Sequence, residues 1–348
     1  MPGFTHSENK TIAIWLLICC ALVYVMVVLG GVTRLTGSGL SMVDWKPVTG
    51  ILPPIGDAEW LEEFARYQDS PEFRKINSRM DVHDFKGIFW LEYLHRLLGR
   101  TIGIVFLIPF LVFAWRGYIK KSDTPKYALM FVLGGLQGLL GWYMVKSGLV
   151  DNPHVSQYRL TAHLVAAILV YSYMFWVALS LLYPERGEKH EWYGRALALT
   201  TMIFVTVISG GFVAGLKAGK IYNTFPMMGE YWVPPGMNSL QPFWRNLFDN
   251  TTTVQFDHRI LAITTFVLIV VFWLRVRKTA LPARAAKAVS AMLHTAVLQV
   301  ALGITTLVLA VPVFLGAAHQ AVAMLLITVA LFLCHSLTRS ESPQHDLK

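Results

Sequence analysis

Residues 91–100 read LEYLHRLLGR and lead into the apolar run TIGIVFLIPFLVFAW, while residues 254–263 read VQFDHRILAI and lead into TTFVLIVVFWL. Each stretch places a histidine followed by an arginine, His95–Arg96 and His258–Arg259, at the mouth of a long hydrophobic segment. His163 in YRLTAHLVAAILV and His319 in FLGAAHQAVAMLL hold matching places in two later apolar runs. A histidine within a membrane span is expensive enough to be read as functional by default, although it can also serve as a helix–helix hydrogen-bond partner. Imidazole is the commonest metal-binding side chain, and two imidazoles from facing helices suit the two axial positions of a haem iron inside a four-helix bundle. Zinc takes more protein ligands than two. A di-iron carboxylate centre would explain the i, i+3 spacing of Glu92 and His95, but the corresponding position before His258 is Gln255, and few other carboxylates lie nearby.

The change from Glu92 to Gln255 is the informative difference between the two stretches. A carboxylate one helical turn from a metal ligand can exchange protons, and an amide cannot. The first site therefore has proton chemistry available, and the second has the composition of a plain bis-histidine haem holder. The alternative role for Glu92 is a hydrogen bond to a neighbouring helix. Arg96 and Arg259, each one residue past a histidine, are candidates to pair with haem propionates, or else snorkel to the membrane interface. Arg34 and Lys217, on the following loops, are weaker candidates of the same kind.

These residues need helices to position them, and the composition provides for that. The chain of 348 residues is 55% hydrophobic and only 15% charged, which marks a polytopic membrane protein. Stretches 12–31, 88–114, 127–145, 159–183, 193–215, 254–274, 288–311 and 313–336 each suffice for a transmembrane helix of roughly 20 residues. The last two are close enough to be misjoined. Basic residues concentrate in the short loops near Arg116–Lys126, Arg186–Arg195 and Arg275–Lys287, which places those loops and both termini in the cytoplasm. Residues 1–31 lack a small-x-small cleavage site and are read as a retained first span. The net charge of +9 does not point to nucleic acid, because the basic residues form no stripe interleaved with aromatics. Cys19, Cys20 and Cys334 all fall within spans, so no external disulfide framework is expected.

The chain also repeats itself. GGVTRLTGSGLSMVDWKPVTGILPP at 30–54 and GGFVAGLKAGKIYNTFPMMGEYWVPP at 210–235 both open on Gly-Gly and close on Pro-Pro. LEYLHRLLG is followed in order by LQGLLGWYMV and YRLTAHLVAAILV, as VQFDHRILA is by LQVALGITTLV and FLGAAHQAVAMLL. The expected fold is all-α, with eight transmembrane helices arranged as two duplicated four-helix bundles of the same orientation, residues 1–187 and 188–348. The four histidines then lie at a similar depth near the external ends of the even-numbered spans. The segment AEWLEEFARY at 58–67 is amphipathic, as interfacial segments often are, although a short helix in a solvated connector accounts for it equally. His83 and His154 are expected in loops, and His294 is expected to pack in span seven.

The eight-span duplication together with GGVTRLTGSGLSMVDWKP, EYLHRLLGR, SQYRLTAHL, NTFPMM, DHRILA and AAHQAVAMLL resembles the haem A synthase family in the form found in proteobacteria and mitochondria, over roughly residues 12–336. The resemblance implies oxidation of the ring-D methyl of haem O to the formyl group of haem A, by two successive hydroxylations and loss of water, for cytochrome oxidase assembly. It implies that His95 and His163 bracket the substrate haem in the N-terminal half, that Glu92 is catalytic, and that His258 and His319 ligate a resident haem b in the C-terminal half. Some bacterial members carry a cysteine pair in their external loops; this chain has none there, so a redox role for such a pair does not transfer. The implied setting is the bacterial inner membrane. The partners such a role admits are membrane lipid, haem O synthase, an unidentified electron-transfer partner and further copies of the chain. Two other readings share the four histidines: a quinol-oxidising dihaem b-type cytochrome, and a non-catalytic haem carrier.

Overall fold

The structure, a computed structural model, describes residues 6–44, 50–150, 153–183 and 188–338. In chain order the α-helices are α1 (His6–Leu35), α2 (Asp57–Gln68), α3 (Pro71–Lys75), α4 (Val82–Trp115), α5 (Thr124–Lys146), α6 (Gln157–Leu182), α7 (Tyr193–Gly215), α8 (Asn246–Asp249), α9 (Thr251–Val276), α10 (Ala283–Val308) and α11 (Val313–Leu337). Eight of them, α1, α4, α5, α6, α7, α9, α10 and α11, are long and apolar enough to cross a membrane. The chain is an all-α, multi-pass membrane protein.

Residues group into two compact units, one of residues 18–171 and one of residues 1–17 with 172–348. The first contains His95 and His163, the second His258 and His319. Within the second, α7, α9, α10 and α11 pack against one another as a bundle. Within the first, α4 packs on α5 and α2 packs on α4. The division expected at residues 187 and 188 falls beside residues 184–187, outside the described residues.

Helix α4 starts six residues before the apolar run that predicts it, because the Asp81 side chain caps it by accepting from the Asp84 N–H at 2.9 Å. Its 34 residues make a rod of about 51 Å, longer than the ~30 Å hydrocarbon core, so one end has to project into the polar region. On that projecting end Phe85, Phe89 and Tyr93 pack with Trp60, Phe64 and Tyr67 of α2 into one buried aromatic cluster. Trp60, Phe64 and Tyr67, on the apolar face of 58–67, are therefore packed on protein. Tyr67 donates to Glu72 at 3.1 Å and accepts from Asn77 at 2.7 Å, and its burial pushes the phenol pKa up, keeping the donor protonated.

The last two spans are separate. Helix α10 ends at Val308, three residues short of the predicted stretch, and Ala310 (φ 57°) and Val311 (φ 64°) turn the chain through the left-handed region before Pro312 caps α11. The Val311 N–H donates back to Thr306 O at 2.8 Å, closing the helix end. A β-branched residue in that conformation costs on the order of 1–2 kcal/mol. Asn223 secures the turn, its amide donating to Leu307 O at 2.8 Å and to Gly219 O at 2.9 Å.

Candidate haem-binding sites

Each of the four intramembrane histidines lies against a glycine on the span before it. A Cβ on Gly30 of α1 would come 3.0 Å from Cε1 of His95, and one on Gly141 of α5 would come 3.0 Å from Cε1 of His163. In the second unit the pairs are Gly210 of α7 with His258 at 3.1 Å and Gly303 of α10 with His319 at 2.9 Å. Such distances are tighter than nearly all ordinary side-chain contacts, so each imidazole occupies space that a Cβ on the facing residue would crowd.

Polar neighbours orient three of the rings. The Gln137 amide nitrogen sits 3.0 Å from His163 Nδ1 and donates to the His163 carbonyl at 2.7 Å. Its repeat counterpart Gln299 lies 3.4 Å from Nε2 of His319. Ser209 Oγ lies 2.7 Å from His258 Nδ1. Sequence reasoning singled out none of these residues, nor the glycines. The signal was available, since Gly30, Gly210 and the two LQ-x-x-LG motifs all mark the repeat, but a helical glycine by itself does not announce what it faces.

Glu92 is buried and fully bonded. Its Oε2 accepts from Ser41 Oγ at 2.7 Å and from the Met42 N–H at 2.9 Å, and its Oε1 accepts from Arg96 at 2.6 Å. Arg96 also donates to Met42 O at 2.9 Å and Asp44 O at 3.1 Å. In the second unit Arg259 donates to Tyr222 O at 2.9 Å and to Thr224 O at 2.9 Å. Met42 and Tyr222 are equivalent in the repeat, as are Asp44 and Thr224, so the two arginines make the same clasp on the same loop. Gln255 replaces the carboxylate with a donor, its amide bonding Tyr222 O at 3.1 Å.

Among the sequence-predicted propionate candidates, Arg96 and Arg259 thus have their guanidinium groups bonded to loop carbonyls. Arg34 is partly buried in the last turn of α1, and Lys217 is exposed, in the left-handed position (φ 53°) that ends α7. Gly37 takes the same conformation (φ 69°) after α1, at the equivalent place in the repeat. His83 lies in the first turn of α4 and not in a loop, His154 is in the loop before α6, and His294 is exposed on α10 with its ring bonded to Ser290 O at 2.9 Å. Cys19, Cys20 and Cys334 are free and buried.

Several buried polar atoms around the second pair have no protein partner: Nδ1 of His319, Oε1 of Gln255 and Nε of Arg259. Among the described residues, no three His, Cys, Asp or Glu side chains are grouped to hold a bare metal ion. Two imidazoles in a glycine-lined cradle, with unspent polar atoms beside them, fit a group that brings its own equatorial donors to the metal and needs only axial ligands.

The sequence profile of the COX15-CtaA family, described as cytochrome oxidase assembly protein, matches residues 13–331. A relative from Nitrosospira multiformis named heme A synthase is 52% identical over 338 residues, covering 96% of this chain and 95% of the relative. A heme A synthase of Paramagnetospirillum magneticum is 49% identical, with 96% of each chain covered. The human protein named heme A synthase COX15 is 45% identical over 346 residues, or 96% of this chain and 84% of its own length. With the family profile spanning residues 13–331 and a relative 52% identical over nearly the full length of both chains, this chain belongs to the COX15-CtaA family of haem A synthases.

Proposed function

We propose that the chain converts haem O to haem A, holding the substrate between His95 and His163 and a resident haem b between His258 and His319. It is a haem A synthase, an enzyme of haem A biosynthesis acting in cytochrome oxidase assembly. The reaction is oxidation of the ring-D methyl to a hydroxymethyl group and then to a gem-diol, which loses water to leave the formyl group. The observation that carries this reading is that two histidine cradles of the same construction differ three residues before the first histidine, where Glu92 stands against Gln255.

Glu92 holds the proton-exchange role. Its carboxylate accepts from Ser41, Met42 and Arg96, which hold both of its oxygens in place. A proton received at Oε2 is one hydrogen bond from the Ser41 hydroxyl in the loop after α1. Gln255, with no exchangeable proton near neutral pH, leaves the second site to ligation alone. The resident haem supplies one-electron transfer when bound. Arg96 and Arg259 would be the cations to pair with propionate groups, and at the same time they fasten the loops beside each site.

The protein lies in the bacterial inner membrane with both termini cytoplasmic and the histidines toward the external face. Residues 1–187 form the substrate half and residues 188–348 the resident-haem half; the equivalent clasps of Arg96 and Arg259 support a duplication. Membrane lipid, haem O synthase, an electron-transfer partner and other copies of the chain are its proposed associates. The test is to extract the pigments of the purified protein and separate them by chromatography. A synthase yields haem O or haem A beside haem b; a dihaem cytochrome or a haem carrier yields haem b alone, which would overturn the reading.

A further inference from the structure

We infer that Ser209 is the positioning residue that sets the tautomer of His258, and with it the permanence of the second haem; this rests on the reading of His258 and His319 as ligands of a resident haem b. Ser209 Oγ lies 2.7 Å from His258 Nδ1 and, with its single proton, donates to the Thr206 carbonyl at 2.7 Å one turn back on α7. The hydroxyl proton is spent on Thr206, so the Nδ1 contact is made with Ser209 oxygen as acceptor and the imidazole as donor. A neutral imidazole protonated on Nδ1 carries its lone pair on Nε2, the form in which it binds a metal.

The adjacent Gly210 reinforces the arrangement. A Cβ there would come 3.1 Å from Cε1 of His258, so the ring is seated directly on the α7 backbone, with the serine hydroxyl beside it. Ring position and ring proton are both fixed before any ligand arrives. Hydrogen-bonding partners of this kind orient metal-binding histidines and raise their basicity.

The first site lacks the device. Gly30 seats His95 as Gly210 seats His258, but the residue before Gly30 is Leu29, an alkyl side chain with no acceptor. A substrate has to leave and a resident cofactor has to stay. One hydroxyl, present beside His258 and absent beside His95, divides the two cases.

The experiment uses the full-length purified protein and four variants, Ser209→Ala, Ser209→Thr, Leu29→Ser and His258→Ala. Measured are haem b content, the rate of haem transfer to excess apomyoglobin, and the midpoint potential of the low-spin haem. His258→Ala is expected to lack that haem; if it retains a full complement, the reading of the resident site fails and the inference about Ser209 falls with it. With that control satisfied, Ser209→Ala should release haem at least about 10-fold faster, the lower end of the usual effect of losing such a partner. Its midpoint potential should move to more positive values, because a less basic imidazole stabilises the ferric state less. Ser209→Thr, which keeps the hydroxyl, should restore both. Leu29→Ser should slow release of the haem bound at the first site. Wild-type release rate and potential in Ser209→Ala, alongside haem loss in His258→Ala, would overturn the inference. So would a Ser209→Ala protein devoid of haem that Ser209→Thr fails to rescue.

Discussion

Glu92 and Arg96, one turn apart on α4, are joined at 2.6 Å in a setting where both are largely buried, and the same arginine reaches past the carboxylate to the carbonyls of the loop above. The carboxylate is thus part of a lock on residues 41–44 as well as the proposed proton acceptor. Replacing Glu92 by Gln keeps the shape and removes the charge, the residue type already present at Gln255. The variant should fold, retain haem b and accumulate haem O, with the ratio of haem A to haem O in membranes co-expressing haem O synthase falling at least ~100-fold, as for loss of a general acid–base group. A near-normal ratio would leave Glu92 as part of the loop fastening only. His95→Ala should also lose product, through weaker substrate binding.

Removing either ligand of the second pair is expected to remove the resident haem. One axial imidazole holds a bis-histidine haem poorly. His258→Ala and His319→Ala proteins should lack the low-spin haem b absorption bands; a full spectrum in both would reassign the site.

The glycine seats give a steric prediction with an internal control. Gly303→Ala places a methyl group 2.9 Å from the His319 ring and Gly210→Ala one 3.1 Å from His258, so both should lower haem b content sharply without unfolding the protein. Gly87→Ala, in α4 where nothing lies within 4 Å of an added Cβ, should instead stabilise by about 0.5–1 kcal/mol from helix propensity. Thermal unfolding and haem content, measured on the same preparations, separate the two effects.

Arg259→Leu deletes the clasp on the 222–227 loop, with its bonds to Tyr222 O, Thr224 O and, at 3.3 Å, Met227 O. Hydrogen bonds to a charged group are worth roughly 1.5–3 kcal/mol. Limited proteolysis should cut the variant within this loop at a protease concentration that leaves the native protein intact.

The proposed topology is checked by cysteine labelling from outside intact cells, in a background with the native cysteines replaced. Positions 188 and 280 should be shielded. Ser70 is a poor external reporter, being 3% exposed and bonded to the Phe73 N–H as the cap of α3; Asp57, whose side chain is 98% exposed, should label instead. Labelling at 188 with protection at 57 would put the histidines on the cytoplasmic side.

The eight spans were legible because burial in lipid demands length and apolarity, and both are written in composition. Their ends were less so: α4 begins early because Asp81 caps it and α2 covers its exposed aromatic turns, a tertiary effect that no window of hydropathy contains. The four histidines stood out because their polarity conflicts with their neighbours. Gly30, Gly141, Gly210 and Gly303 did not, since a glycine's role here is what it leaves empty for a residue on another helix. Ser209 was hidden for a related reason, as its partners Thr206 and His258 come together only when α7 and α9 pack.

The seating of each imidazole on bare backbone also bears on how one ancestral unit could become two different ones. With the ligand's place dictated by a missing side chain on the neighbouring helix, the surrounding side chains are free to drift without re-aiming the metal. On the proposed reading, exchange of Glu92 for Gln255, or of Leu29 for Ser209, changes what a site does while leaving the seat of its histidine untouched, so specialisation in such a scaffold needs few steps.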